Sequence, residues 1–152
     1  HLDCPSHMLY APVLVEHAET KKWLLQEKSI KSSYRMMEQC NVALIGIGNL
    51  SFESTMFKRG HLKREDIIEL KANGFIGDVS MNPIRADGSY DQCPLTDRLL
   101  TADIECLKKI NNTIAVASGV NKAEAIRATL LTGCVDTLIV DETTARIILG
   151  EA

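Results

Sequence analysis

Four short apolar runs, each containing or followed by a glycine or an aspartate, constrain the fold of this chain more than any other feature: residues 42–47 (Val-Ala-Leu-Ile-Gly-Ile), 75–79 (Phe-Ile-Gly-Asp-Val), 113–117 (Thr-Ile-Ala-Val-Ala) and 137–140 (Thr-Leu-Ile-Val). Continuous apolar runs of this length are the pattern of strands buried on both faces of a parallel sheet. Helical patterns lie between them. Residues 19–37 hold Trp23, Leu24 and Leu25 and form one broken helix or two, with Ser32-Ser33 at the weak point. Residues 65–72 set Ile67, Ile68 and Leu70 on a stripe that stops at Asn73-Gly74, while 122–131 and 143–149 close at Gly133 and Gly150. These glycines stand where left-handed helix caps occur. Strands alternating with helices of about ten residues predict an α/β fold, a mostly parallel sheet flanked by helices with right-handed crossovers.

Ligands in such folds gather at the carboxyl ends of the strands. That edge is expected to hold Gly46-Ile47-Gly48, Asp78, Ser118-Gly119 and Asp141. Residues 81–98 break the rhythm with Pro83, Asp87-Gly88 and Pro94, which favour an irregular loop or a hairpin over a helix. Their length and place suit a lid.

Composition narrows the function classes. A chain of 152 residues with 45% hydrophobic content can bury a core as one domain or part of one. A net charge of −3 offers no basic face for nucleic acid. No apolar run reaches the ~18 residues of a membrane span, and no signal peptide opens the chain, so a cytoplasmic protein is expected. Cys4, Cys40, Cys93, Cys106 and Cys134 are odd in number and unpaired in spacing, which predicts buried thiols and neither a disulfide framework nor a zinc site. His1, His7, His17 and His61 lack metal-ligand spacing, so no metal and no cofactor are expected.

Candidate site residues follow from the strand ends. Residues 113–126 run from a strand through the Ser118-Gly119 turn into a helix with Lys122 in its first turn. Helix starts carry unpaired N–H groups and the positive dipole end, so a lysine there is unfavourable unless an anion joins it. Backbone donors, a permissive glycine and a lysine make a cradle for a phosphate or carboxylate. A plain turn with Lys122 in solvent accounts for the same residues. Gly46-Ile47-Gly48-Asn49 lets the backbone approach a ligand, but the third glycine of a dinucleotide motif is absent and a structural turn fits equally. Asp78 either hydrogen-bonds sugar hydroxyls or caps a turn, and Asp141 makes an ordinary helix N-cap. No nucleophile has a convincing base, so no catalytic residue is assigned.

Taken together, several motifs in order resemble the effector-binding domain of SorC/DeoR-type sugar-responsive transcriptional regulators of bacteria. They are Leu9-Tyr10-Ala11-Pro12-Val13, residues 41–48, the Gly74 to Gly88 stretch with Gly77-Asp78-Val79, Ala117 to Ile126, and Leu138 to Ala145 with Asp141-Glu142. The resemblance implies a fold like that of sugar-phosphate isomerases and CoA transferases, and a sensor rather than a catalyst. It further implies a phosphorylated sugar as effector, a homo-oligomer (dimer or tetramer), and DNA contact only through a helix-turn-helix outside residues 1–152. These residues would then be the C-terminal portion of one sugar-binding domain. By motif, Lys122 with Ser118 and Gly119 would hold the phosphate, Gly46, Gly48 and Asn49 would line the pocket, and Asp78 would lie near the sugar. Asn41 and Arg85 stand where the family often has aspartate, and Arg85 would contact a second phosphate or close the pocket. The alternatives are a sugar-phosphate isomerase or deaminase, and an oligomerisation module with a vestigial pocket. Against the enzyme, Asn49-Leu50-Ser51-Phe52 replaces the Asp-Gly-His segment of the deaminases.

Overall fold

A computed structural model describes residues 5–151. In chain order the elements are α1 (Ala18–Leu24), α2 (Lys28–Glu38), β1 (Val42–Asn49), α3 (Thr55–Lys58), α4 (Arg64–Ala72), β2 (Phe75–Val79), β3 (Asn82–Arg85), α5 (Ile104–Lys109), β4 (Asn112–Val116), α6 (Ala123–Leu131), β5 (Thr137–Ile139) and α7 (Glu142–Leu149). The strands form one sheet in the order β3-β2-β1-β4-β5.

β1, β4 and β5 are parallel, with Leu44 beside Ile114 and Val116 beside Ile139. β2 runs antiparallel to β1 and β3 antiparallel to β2, so β1, β3, β4 and β5 point one way and β2 the other. The sheet is mostly parallel as predicted, but the expected crossover between the first two strands is not formed. β2 meets β1 only at its carboxyl end, where Gly48 pairs with Asp78 and Asn49 with Gly77. The connection through α3 and α4 therefore leaves and re-enters at the same edge. Its apolar residues build a second small core, in which Leu50, Leu62, Ile67, Leu70 and Phe75 meet Cys93, Leu95 and Leu99.

The main core lies on one face of the sheet. Ile45 and Ile47 of β1 and Ala115 of β4 pack with Ile104 and Leu107 of α5 and Ala125, Ile126 and Ala128 of α6. Alternate residues of β1, Val42 and Leu44, are exposed, so burial on both faces does not hold here. Gly77 lets α6 close on the sheet, because a Cβ there would stand 2.6 Å from both Ala125 Cβ and the Gly48 carbonyl oxygen.

Several local expectations need correction. The break between α1 and α2 falls at residues 25–27, whereas Ser33 stays helical with its hydroxyl donating to the Ser29 carbonyl at 3.2 Å. Residues 81–98 form β3 and then a packed connection: Ile84, Cys93 and Leu95 are buried, which rules out a free lid. Cys93 and Cys134 are buried thiols, but Cys40 is exposed and Cys106 only half-buried, while Cys4 lies outside the described residues. Helix α5 went unanticipated although Asp103 caps it, accepting from the Cys106 N–H at 2.7 Å. Gly133 and Gly150 close α6 and α7 at positive φ as expected.

Candidate functional site

At the carboxyl end of β1 a cleft of about 490 Å³ opens between the strand, the β2–β3 turn, the start of α6 and the loop into α3. Gly46, Gly48, Asn49, Asp78 and Lys122 line it together. Asp78 reaches it through the antiparallel register, not as the end of a parallel strand. Gly48 makes room for it, since a Cβ on Gly48 would lie 2.2 Å from Asp78 Oδ1.

The Asp78 carboxylate is buried, and Oδ2 accepts the Met81 N–H at 3.0 Å. Burial pushes its pKa up from 3.8 to about 6, against the opposing pull of that N–H and of Lys122. Lys122 Nζ donates to the Ile47 carbonyl at 3.0 Å, which holds the ammonium over the end of β1 rather than in solvent. It sits at the N-cap position of α6, after a single 3-10 turn over Val120–Lys122.

The β2–β3 turn beside Asp78 is strained. Ser80 and Met81 have φ of 48° and 71°, in the left-handed region that side chains other than glycine avoid. The Asn82 amide holds the turn by donating to the carbonyls of Val79, Ser80 and Ala102. Thr101 Oγ1 donates to the Ser80 carbonyl at 2.9 Å.

Ser118 and Gly119 do not join this cleft. Gly119 N–H donates to Asp141 Oδ2 and to Thr144 Oγ1, both at 3.1 Å, so the expected anion cradle already holds a carboxylate from the same chain. Asp141 also accepts from Thr144 N–H at 2.9 Å and from its hydroxyl at 2.6 Å. These donors hold its carboxyl well below the usual range, the Thr144 hydroxyl and N–H first and the Gly119 N–H next. Because the folded pKa is depressed, the contribution is present above the unfolded pKa near 3.8 and lost as pH falls below it. Asp141→Ala should lower the unfolding midpoint at pH 7 through the lost N-cap, and lower it less at pH 2. Thermal unfolding at the two pH values checks this.

Arg85 is also elsewhere. Its guanidinium stacks on Phe75 at 4.1 Å and donates to the Asn73 carbonyl at 2.9 Å, to Ser89 Oγ at 3.3 Å and to Asp91 Oδ1 at 3.2 Å. It ties β3 to the following turn and contributes nothing to the cleft.

The sequence missed Ser51, Ser54, Thr55, Glu53, Met56, Ser80, Met81 and Asn121, which also line the cleft. A hydroxyl-rich run after Gly-x-Gly was the available signal for the first three. With Lys122, the buried Asp78, Glu53 in an ion pair with Lys58, two amides and several hydroxyls, the cleft is equipped to bind a polyhydroxylated small molecule that carries its anionic group at the Lys122 end.

An α/β ligand-binding domain is the class that this fold and cleft define. Residues 1–150 match the family model described as "Putative sugar-binding domain". The chain belongs to that family, the sugar-binding domains of SorC/DeoR-type transcriptional regulators. It is 26% identical over 147 residues to the erythritol catabolism regulatory protein EryD of Brucella abortus (strain 2308), a match over 97% of this chain and 46% of that protein. It superimposes on a DeoR family transcriptional regulator from Listeria monocytogenes with TM-score 0.87 and 31% identity, covering 92% of this chain and 57% of the other. The sugar-binding domain of a transcriptional repressor from Vibrio fischeri gives TM-score 0.85 and 28% identity, over 93% and 57% of the two chains. The chain thus spans about half the length of the curated relatives it matches. Among the described residues no helix is long and apolar enough to cross a membrane.

Proposed function

We propose that the cleft senses a sugar, in phosphorylated form, and that its occupancy changes the hold of a cytoplasmic, oligomeric regulator on DNA through a domain beyond these residues. The observation that carries this reading is the convergence of Lys122 and Asp78 across Gly48, a fixed cation beside a buried acid in one small-molecule-sized cleft. Lys122, helped by Asn121 and the hydroxyls of Ser54 and Thr55, takes the anionic group; Asp78 and Asn49 take sugar hydroxyls. Ser118 and Gly119 act at one remove, by anchoring α7 to the turn before Lys122. The relative EryD is named for a polyol pathway, which suits a hydroxyl-reading cleft.

Sensing rather than catalysis is supported by the relatives, which are named as transcriptional regulators. Output then requires that the ligand prefer one arrangement of the protein, with a typical coupling of about 1–3 kcal/mol. The element suited to move is the segment 51–61, which borders the cleft and has no buried residue.

A panel of free and phosphorylated sugars added during thermal unfolding tests the reading. A ligand at 100 times its dissociation constant should add about 2.7 kcal/mol of stability, and Lys122→Ala should remove that gain. No shift with any phosphorylated sugar sinks the sensor reading, and turnover of one to a product replaces it with an enzyme.

A further inference from the structure

A second cavity, of about 500 Å³, is enclosed by α1, α2, β3, the connection after β3 and α5. It shares no lining residue with the cleft, yet the two meet at the β2–β3 turn: Ser80 and Met81 line the cleft, whereas Asn82 and Thr101 line the second cavity. Its size is that of a small-molecule site, and its apolar wall is built from Leu25, Pro83, Leu99 and Ile104 with the rings of Tyr34 and Tyr90. The charged groups favour a cation. Among the described residues lining the cavity Lys21 is the one cation, and its ammonium is taken by the Thr96 carbonyl at 2.7 Å. Of the acids, Asp91 is paired with Arg85 and Glu105 with Lys108, while Asp103 has no ion-pair partner among the described residues. Asp103 stands near Tyr34, whose hydroxyl pKa is raised by burial and then by that carboxylate, so the ring remains a neutral phenol. A carboxylate and an aromatic ring together are a setting for an ammonium group.

We propose that this cavity is a second ligand site, for a small amine with an apolar or aromatic body, and that its occupancy is transmitted to the cleft through the β2–β3 turn. The ammonium goes to Asp103 and Tyr34, and the body lies against Leu25, Pro83, Leu99 and Ile104. Transmission runs through hydrogen bonds already in place. Asn82 Nδ2 donates to the carbonyls of Val79, Ser80 and Ala102, and Thr101 Oγ1 to that of Ser80. The turn they hold is the one whose Met81 N–H donates to Asp78 Oδ2 inside the cleft. A strained turn persists only where its surroundings over-determine it, so a ligand that fixes Asn82 and Thr101 from one side fixes the donor to Asp78 on the other. By linkage, each ligand then changes the affinity for the other by the same factor. Only the transmission rests on the cleft being the sugar site; the second cavity does not.

The test uses the natural full-length gene product, with phenethylamine as probe and phenethyl alcohol and hydrocinnamate as its neutral and anionic matches, titrated by ligand-observed NMR. The amine should bind about tenfold more tightly than the alcohol, the worth of one charge-assisted contact, and hydrocinnamate more weakly than either. Asp103→Asn keeps a cap on α5 while removing the charge, and should erase the preference for the amine without weakening the alcohol. Thr96→Trp, which brings an indole into the cavity from an exposed position, should block binding of both. No saturable binding of the amine, equal affinity for amine and alcohol, or a preference that survives Asp103→Asn overturns the site. Hydrogen exchange, read by mass spectrometry over residues 76–84, tests the transmission. The amine should slow exchange at Met81 about fivefold in the parent and not in Thr96→Trp. Binding without that change overturns the transmission. If the amine binds and slows exchange while no phosphorylated sugar shifts the unfolding midpoint, the second site stands and the sensor reading falls.

Discussion

Asp78→Asn should make the unliganded protein more stable at pH 7 while abolishing its response to sugar. The carboxylate is buried beside β1, and its pKa is raised from 3.8 to about 6 chiefly by that burial. A raised acid pKa means that the folded state takes up the proton more readily than the unfolded one, so stability falls as pH rises from about 4 to about 6. Above pH 6 the loss is complete and constant. At about 1.4 kcal/mol per pKa unit, Asp78 costs the fold about 3 kcal/mol at neutral pH. Asparagine has nearly the same shape and keeps an acceptor for the Met81 N–H, but it carries no charge to desolvate. The variant should therefore unfold several degrees higher than the parent at pH 7 and at the same temperature near pH 3.5. A fold tolerates such a cost where the charged group binds something, and the sugar response should be lost with it. An unchanged midpoint at pH 7 would show that water or Lys122 already solvates the carboxylate. A retained sugar response would remove Asp78 from the site.

The elements most legible in the sequence were those whose signal is local. The apolar runs gave β1, β2, β4 and β5 within one or two residues, and the glycines after α6 and α7 ended those helices where expected. Direction was not legible, because Phe-Ile-Gly-Asp-Val has the same hydropathy whichever way β2 runs. β3 hid in a stretch containing Pro83, which is tolerated there because β3 is an edge strand. In the site, Lys122 stood out because it opposes the helix dipole, and its bond to Ile47 explains how it is held. Asp141 looked complete as a cap, and nothing local announced that its second oxygen takes the Gly119 N–H from 22 positions away. Arg85 was misplaced for a similar reason: its partners Asn73 and Asp91 are set by the hairpin and not by the spacing of the motif.

Gly48→Ala should be among the most damaging single-methyl additions the chain can suffer, and removing Asp78 should largely rescue it. The new Cβ would stand 2.2 Å from Asp78 Oδ1 and 3.1 Å from its Cγ, far inside any real contact. Relief by rotating the acid is blocked, because Oδ2 is bonded to the Met81 N–H inside a turn that is itself pinned by Asn82 and Thr101. Either the carboxylate leaves and buries an unpaired charge, or β1 and β2 separate where Gly48 and Asp78 pair. Both routes belong to the costly mechanisms of point mutation, and a loss of about 3 kcal/mol or more is expected. In the double variant Gly48→Ala with Asp78→Ala the clash is gone, so most of that loss should return as a coupling energy of about 2 kcal/mol. Urea unfolding of the parent, the two single variants and the double variant measures it. Additive losses would mean that alanine at 48 is harmful for a reason other than Asp78, and that the glycine does not serve to admit the acid. A large coupling would tie the two positions together as one device: β1 gives up a side chain so that β2 can hold a charge at the mouth of the cleft.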